Sequence, residues 1–596
     1  MRFAYILLIL LLPLLAQAQK SDSQLAYTYY QNKEYDKAGQ LFLQLYERTR
    51  SSNYLDYYIV CLINGKQYDK AENALKKYLK TDERNKEFLV NLGYVYEQQG
   101  KTKKSEEYYE KAVQRLIPST SDVNSLANKF RNIREYGWAV KAYLQGQKIL
   151  KQPNAFLREL GENYMLERDY DNMLDLFVRT LQQKPGDINN VTSQLSFARS
   201  YDLVNNVDNL IEKKLEEIFK QEDYNPVFDE LAVWYATQKK DYAQALRHAT
   251  LLNQKMTDKE NIFVNIARNA SSMGNYSIAA DAYRKVLEKG KENNNYYLTA
   301  RKEILECEYQ QAQQTASGAE QYRQIATNCE QFLQEYGYAT DNVDIGLMLS
   351  DIYAYRLNLP DSANSVLEKS TSIRRLSSNK LSAIKSKRAD LLTYTDNIWE
   401  ATILYTQIEK ANPNNDIGYE AKLKKAWLAY YAGDLLWAKA QFDVLKGSTT
   451  KLISNDAIKM AHFINMNYEE DDNQDLEKLA KTEYLVYKQQ IQEALPVLDS
   501  LMTCEQPGIA DYAALLKAKI QVGQNQPEHA AELLEKLKNE SQQTYIRAEA
   551  IYQLANLKKQ QKAYDSAREL YKILVSEYSG SVYSVEAGKL YREIKD

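Results

Sequence analysis

Side-chain chemistry near neutral pH draws first on histidine and on reactive thiols, and this chain of 596 residues holds three histidines and four cysteines. His248, His462 and His529 lie far apart, and none stands in an H-E-x-x-H frame, so a zinc site built from them is not expected. Cys61, Cys307, Cys329 and Cys504 are too few for a disulfide scaffold. Cys307 and Cys329 stand 22 residues apart, on what read as two successive helices. Either a disulfide or a pair of buried thiols fits that spacing. There is no G-x-x-x-x-G-K-[ST] loop, no G-x-S-x-G elbow, and no strand–helix alternation to hold a nucleotide. Acids number 80 against 77 lysines and arginines, a net charge of −3, and the two signs are interspersed. That excludes the basic stripe a nucleic-acid binder needs. The expectation is a non-enzyme with no catalytic residue, no metal and no cofactor.

Binding chemistry is better supplied. The chain has 49 tyrosines, whose rings pack between helices while the hydroxyl reaches a wet edge. Trp399, Trp427 and Trp437 fall close together in sequence, as oversized packing residues or as an aromatic docking patch. A helical-toroid enzyme acting on polysaccharide would need a focused cleft of carboxylates around such tryptophans, and no partner motif accompanies them.

The elements that position these side chains announce themselves through a beat. Ala38, Ala71, Ser105, Ala139 and Met173 fall 33, 34, 34 and 34 residues apart. An aromatic or leucine follows each by four residues: Phe42, Leu75, Tyr109, Tyr143 and Phe177. A repeat of this length means stacked helical hairpins. In the clearest copy Leu92-Gly93 is followed by Tyr96, Gly100, Ser105, Tyr109, Ala112 and Pro118. Gly93 and Ser105 should mark the close crossing of the two helices, with Tyr96 and Tyr109 filling the space between them. Low glycine and proline counts, 20 and 10, leave little material for sheets or long linkers.

This pattern resembles the tetratricopeptide repeat family, and the resemblance covers nearly all of residues 22–580, with gaps near 187–223, 290–340 and 450–480. It implies an all-α fold, a right-handed superhelical solenoid of roughly 14 helix-turn-helix hairpins. The expected layout is an N-terminal array over 19–186, middle hairpins over 187–290 with the first degenerate, and an irregular helical connector over 291–345. Hairpins with a longer stride follow over 346–450, then C-terminal hairpins over 451–580 and a capping helix over 581–596. The longer stride, Ala363 to Ala401 to Ala438 at 38 and 37 residues, calls for longer helices or loops.

Some members of the family clamp a C-terminal carboxylate with lysine and asparagine on the inner face of the first helix. The matching positions here hold Ser23 and Tyr27, Asp56 and Val60, Val90 and Tyr94, Asn124 and Asn128, Arg158 and Glu162, so that clamp is absent. The groove that the resemblance implies is lined by Tyr27, Tyr30, Tyr94, Glu97, Asn128, Arg131, Arg158 and Glu162, which are the candidate protein-binding residues.

The first residues add an address. Arg2, an apolar run from Phe3 to Leu15 and then Ala16-Gln17-Ala18 form a secretory pattern, with cleavage expected after Ala18. The run is too short to span a bilayer, and no cysteine follows the cut to carry a lipid. The stretches from Ala426 to Val444 and from Ser579 to Ala587 resemble exported tetratricopeptide proteins of Bacteroidetes-type bacteria. Together these imply a periplasmic scaffold for protein or peptide partners in the cell envelope, without nucleic acid and without a membrane span of its own. The alternative is a non-catalytic envelope module that holds cell-wall glycan or polysaccharide on its aromatic surface.

Overall fold

The computed structural model describes residues 22–594, apart from 83–84, 205, 257–259, 293 and 448–450. The expected signal segment and its cleavage site lie outside the described residues. Those described form helices joined by short turns, with no strand among them. The chain divides into two compact units, the first ending at Lys289 and the second starting at Gly290.

Unit 1 is a solenoid of eight antiparallel hairpins. They are α1 (22–31) with α2 (Tyr35–Thr49), α3 (Ser52–Asn64) with α4 (Tyr68–Thr81), and α5 (Lys86–Gln98) with α6 (Thr102–Gln114). Next come α7 (Thr120–Asn132) with α8 (Tyr136–Leu150), α9 (Leu157–Glu167) with α10 (Tyr170–Gln183), and α11 (Ile188–Tyr201) with α12 (Asn206–Phe219). Helices α13 (Val227–Gln238) with α14 (Tyr242–Lys255) and α15 (Glu260–Ser272) with α16 (Tyr276–Leu287) complete it. The degenerate stretch 187–223 is thus a full hairpin.

The small residues of the beat do what helix packing demands. Ala38, Ala71, Ser105, Ala139 and Met173 are all buried. At Gly93 an added Cβ would lie 2.5 Å from the Tyr109 ring, and at Gly161 it would lie 2.7 Å from the Phe177 ring. Any larger residue there would drive the two helices of the hairpin apart. The first helix in each of the first five hairpins is followed by a left-handed residue, at Lys33, Lys66, Gly100, Arg134 and Arg168. The next backbone N–H then reaches back to the carbonyl of Tyr29, Leu62, Tyr96, Phe130 or Tyr164, which satisfies the open end of the helix.

Unit 2 opens with α17 (Tyr297–Gln314) and α18 (Ala319–Tyr336), two helices of 18 residues each. They fill the stretch set apart above as an irregular connector, and Tyr309, Ala312, Tyr322, Cys329 and Phe332 are buried among them. Cys307 and Cys329 stand as thiols, and burial pushes the Cys329 thiol up to about 12. The unit continues with α19 (Val343–Asp351), which widens into a π-turn over Ile352–Arg356, and α20 (Pro360–Thr371). Then follow α21 (Ser378–Tyr394) with α22 (Ile398–Ala411) and α23 (Asp416–Tyr431) with α24 (Leu435–Leu445). The longer stride is carried by the first helices, 17 residues in α21 against 13 in α5.

The gap in the beat near 450–480 has a structural cause. A single helix, α25 (Lys451–Asn467), interrupts the alternation before α26 (Gln474–Tyr487) and α27 (Ile491–Leu501) resume it. Helices α28 (Pro507–Gly523) with α29 (Pro527–Glu540) and α30 (Thr544–Gln560) with α31 (Tyr564–Glu577) follow. Helix α32 (Val582–Glu593) lies on α31 and α30.

Candidate protein-binding groove

Among the first helices of unit 1, α5 touches α7 and α9 touches α11, and the Arg131–Glu162 pair joins α7 to α9. On α9, Arg158, Glu162, Met165 and Leu166 share one face by the three- and four-residue spacing of a helix. On α11 the same spacing aligns Ser193, Gln194 and Phe197. Arg131 comes from the last turn of α7. Together Arg131, Glu162, Met165, Leu166, Ser193, Gln194 and Phe197 line an open groove of ≈ 410 Å³.

Charge sits on one wall and apolar surface on the floor. Arg131 Nη1 lies 3.5 Å from Glu162 Oε2, and Arg158 Nε lies 3.5 Å from Glu162 Oε1. Two guanidinium groups share this one carboxylate. The floor exposes Leu166 and Phe197, the latter 51% accessible. The Gln194 side-chain oxygen is buried and has no hydrogen-bond partner among the described residues. A fully desolvated acceptor of this kind costs about 1–3 kcal/mol until a donor meets it.

The remaining residues proposed from sequence fall into two other neighbourhoods. Tyr27 and Tyr30 meet Tyr57 edge-on at 5.0 and 5.4 Å, over Phe42, so both are half-buried packing groups. Glu97 accepts a hydrogen bond from the Tyr109 hydroxyl at 2.8 Å, with Tyr94 half-buried on the same helix. Asn128 is exposed on α7. The structure therefore joins Arg131, Arg158 and Glu162 and leaves Tyr27, Tyr30, Tyr94 and Glu97 elsewhere along the unit. Sequence reasoning missed the floor. Phe197 and Gln194 lie in the degenerate repeat, where no motif placed the inner face. The beat carries Arg131 to Met165 and Asn128 to Glu162, 34 residues on in each case, but one step further it lands on Ser196 and Arg199, so it does not point to Gln194 or Phe197.

The tryptophans grouped by sequence do not form one patch. Trp399 and Trp437 are exposed. Trp427 packs inward, edge-on to Tyr430 at 5.8 Å and to Phe442 at 5.5 Å, because its position on α23 faces the core rather than solvent.

The histidines are equally dispersed. His248 is buried, with Nδ1 3.1 Å from Asp229 Oδ1 and its ring stacked on Phe219 at 4.9 Å. Asp229 is fully buried and also accepts from the Tyr224 hydroxyl at 3.0 Å and from Lys255 at 3.3 Å. Burial alone would raise this carboxyl, yet those partners hold it below its ordinary value. His462 meets the Tyr545 ring edge-on at 5.7 Å, and His529 is exposed. Among the described residues no cluster of histidine, cysteine, aspartate or glutamate is arranged to hold a metal ion, and no helix is long and apolar enough to cross a membrane.

Residues 10–127 match the model of a family described as tetratricopeptide repeat. No curated protein matches the chain. Solved structures that align include that of Naa15/Naa10 bound to HypK-THB, at 14% identity over 97% of this chain and 96% of that one, with a TM-score of 0.26. The crystal structure of yeast Tom70 aligns at 14% identity over 94% of this chain and 99% of that one, with a TM-score of 0.27.

Proposed function

We propose that this chain, whose residues 10–127 match a tetratricopeptide repeat family, is an exported repeat scaffold that holds protein partners in the bacterial cell envelope, as part of assembly or secretion machinery. The observation that carries the reading is the groove across α7, α9 and α11, where an apolar floor of Leu166 and Phe197 lies open beside a wall of paired arginines. An extended segment or a helix laid there would bury both apolar side chains, at about 1.5–3 kcal/mol each. The arginines would set its register. The secretory pattern of residues 1–18 and the resemblance to exported repeat proteins support the envelope as its location.

The test is site-specific photo-crosslinking in cells, with the reactive group at Leu166 in the groove or at exposed Lys103 on α6. The expected result is an adduct with one or a few envelope proteins from Leu166 and none from Lys103. Phe197→Asp should weaken that capture by about tenfold or more, as loss of a buried aromatic anchor does. Equal labelling from both positions, or a cytoplasmic protein that keeps residues 1–18, would overturn the reading.

A further inference from the structure

The turn inside a hairpin offers the same left-handed place in both units, and unit 1 fills it differently. Among the described residues, lysine or arginine takes that place five times in seven in unit 1 and once in seven in unit 2, at Lys562. Counted from two residues before that place to five after it, no such turn of unit 2 carries a net positive charge. The turn itself therefore needs no cation. A side chain held there bears strain that glycine avoids, and strain kept at a set of equivalent positions points to a use for the side chains.

The charge gathers on three neighbouring turns, those of α3–α4, α5–α6 and α7–α8. Over the same windows, 64–71, 98–105 and 132–139, they hold Lys66, Lys70, Lys101, Lys103, Lys104 and Arg134 against Asp69 and Glu135. The surplus is four, and Glu97, just ahead of the middle turn, lowers it only to three. All six cations are exposed, and none forms an ion pair among the described residues. On the same helices α4 and α6, by contrast, Lys76 pairs with Glu72 at 2.6 Å and Lys111 with Glu107 at 2.5 Å. The turns adjoin. Gln99 of the middle one donates to Asp69 of the first at 3.3 Å, and α5 touches α7 as α6 touches α8. Lys101 and Lys104 lie 5.6 and 5.4 Å from the centre of the Tyr96 ring, which holds two like charges side by side. Packed helices lie about 10 Å apart, so the six cations spread over roughly 20 Å of one edge. A single carboxylate or phosphate meets one or two of them. A surface of many phosphates meets all six whatever their exact spacing, and each lysine or arginine brought to such a surface adds about fivefold in affinity. We propose that the turn edge of α3 to α8 docks on an anionic phospholipid surface through these six side chains.

The test is cosedimentation with lipid vesicles of the chain from Gln19 onward, because the apolar run from Phe3 to Leu15 would enter a bilayer by itself. The expected result is binding to vesicles of phosphatidylglycerol mixed equally with phosphatidylcholine, at least about tenfold tighter than to phosphatidylcholine alone and lost at about 0.5 M NaCl. Lys101→Gln, Lys103→Gln and Lys104→Gln together should weaken that binding by about tenfold or more. Lys66→Gly with Arg134→Gly should weaken it by about fivefold or more without lowering the thermal midpoint, since glycine suits the left-handed turn. Lys562→Gln, at the equivalent place in unit 2, should leave it unchanged. No binding, or equal binding to both kinds of vesicle, would overturn the proposal. So would binding indifferent to the substitutions in unit 1, or capture of poly-glutamate by these lysines without capture of vesicles.

Discussion

Glu135 stands between two other carboxylates. It caps the start of α8, and burial together with the charges of Glu97 and Glu167 pushes its carboxyl up to about 7. The Gly137 N–H, which donates to Glu167 at 3.1 Å, holds one of those neighbours in place. A carboxyl raised in the folded state favours folding while it keeps its proton. That contribution is complete below the ordinary glutamate range and is lost as pH rises through about 7. Glu135→Gln should therefore raise the urea midpoint at pH 8 and leave it nearly unchanged at pH 5. Equal effects at both pH values would mean that the proton plays no part. The acidic residue was visible in sequence. Its environment was not, because Glu97, Glu135 and Glu167 belong to three different hairpins.

At the scale of the element, one turn position in each of the first five hairpins is left-handed. Lys33, Lys66, Arg134 and Arg168 adopt φ between 57° and 65°, in the left-handed region where a Cβ crowds the following carbonyl. Gly100 holds the same place in the third repeat with φ of 73°. Arg134→Gly should therefore stabilise unit 1 by roughly 1 kcal/mol, a gain that Arg134→Ala, which keeps the Cβ, should not reproduce. Chemical denaturation of the two variants side by side decides it. The beat of small residues was legible because sterics at the helix crossing admit few side chains. This turn position was not, because four of its five occupants are charged residues that look like ordinary solvated surface.

At the scale of the molecule, a solenoid has no single core, and its stability is a sum over neighbours. Glu549 shows how far such a neighbourhood reaches. It is buried on α30 and takes Lys459 of α25 at 2.6 Å as well as Lys519 of α28. Burial by itself would raise its carboxyl, yet the two lysines outweigh that and hold it at about 2. Glu549→Gln leaves Lys459 and Lys519, both only partly buried, without their counter-charge and should destabilise unit 2, by less than the about 3–5 kcal/mol that breaking a fully buried pair costs. Hydrogen exchange should show that loss in α25 to α32 and leave amides of α3 to α10 as protected as before. A uniform loss of protection along the chain would contradict a nearest-neighbour solenoid.

What the sequence by itself determined is the local grammar: hairpins at a 34-residue beat, Gly93 against Tyr109, and a longer stride in the second half. These follow from contacts between residues close in the chain, whose spacing sterics dictates. Only the tertiary structure decided which inner faces adjoin. It brought Arg131, Arg158 and Glu162 to Phe197, Lys129 to Asp56 at 3.3 Å across 73 residues, and Lys459 to Glu549 across 90. It also turned Trp427 inward while leaving Trp399 and Trp437 outside. Those juxtapositions depend on the small rotation between successive hairpins, which accumulates along the stack and leaves no trace in the spacing of any one repeat.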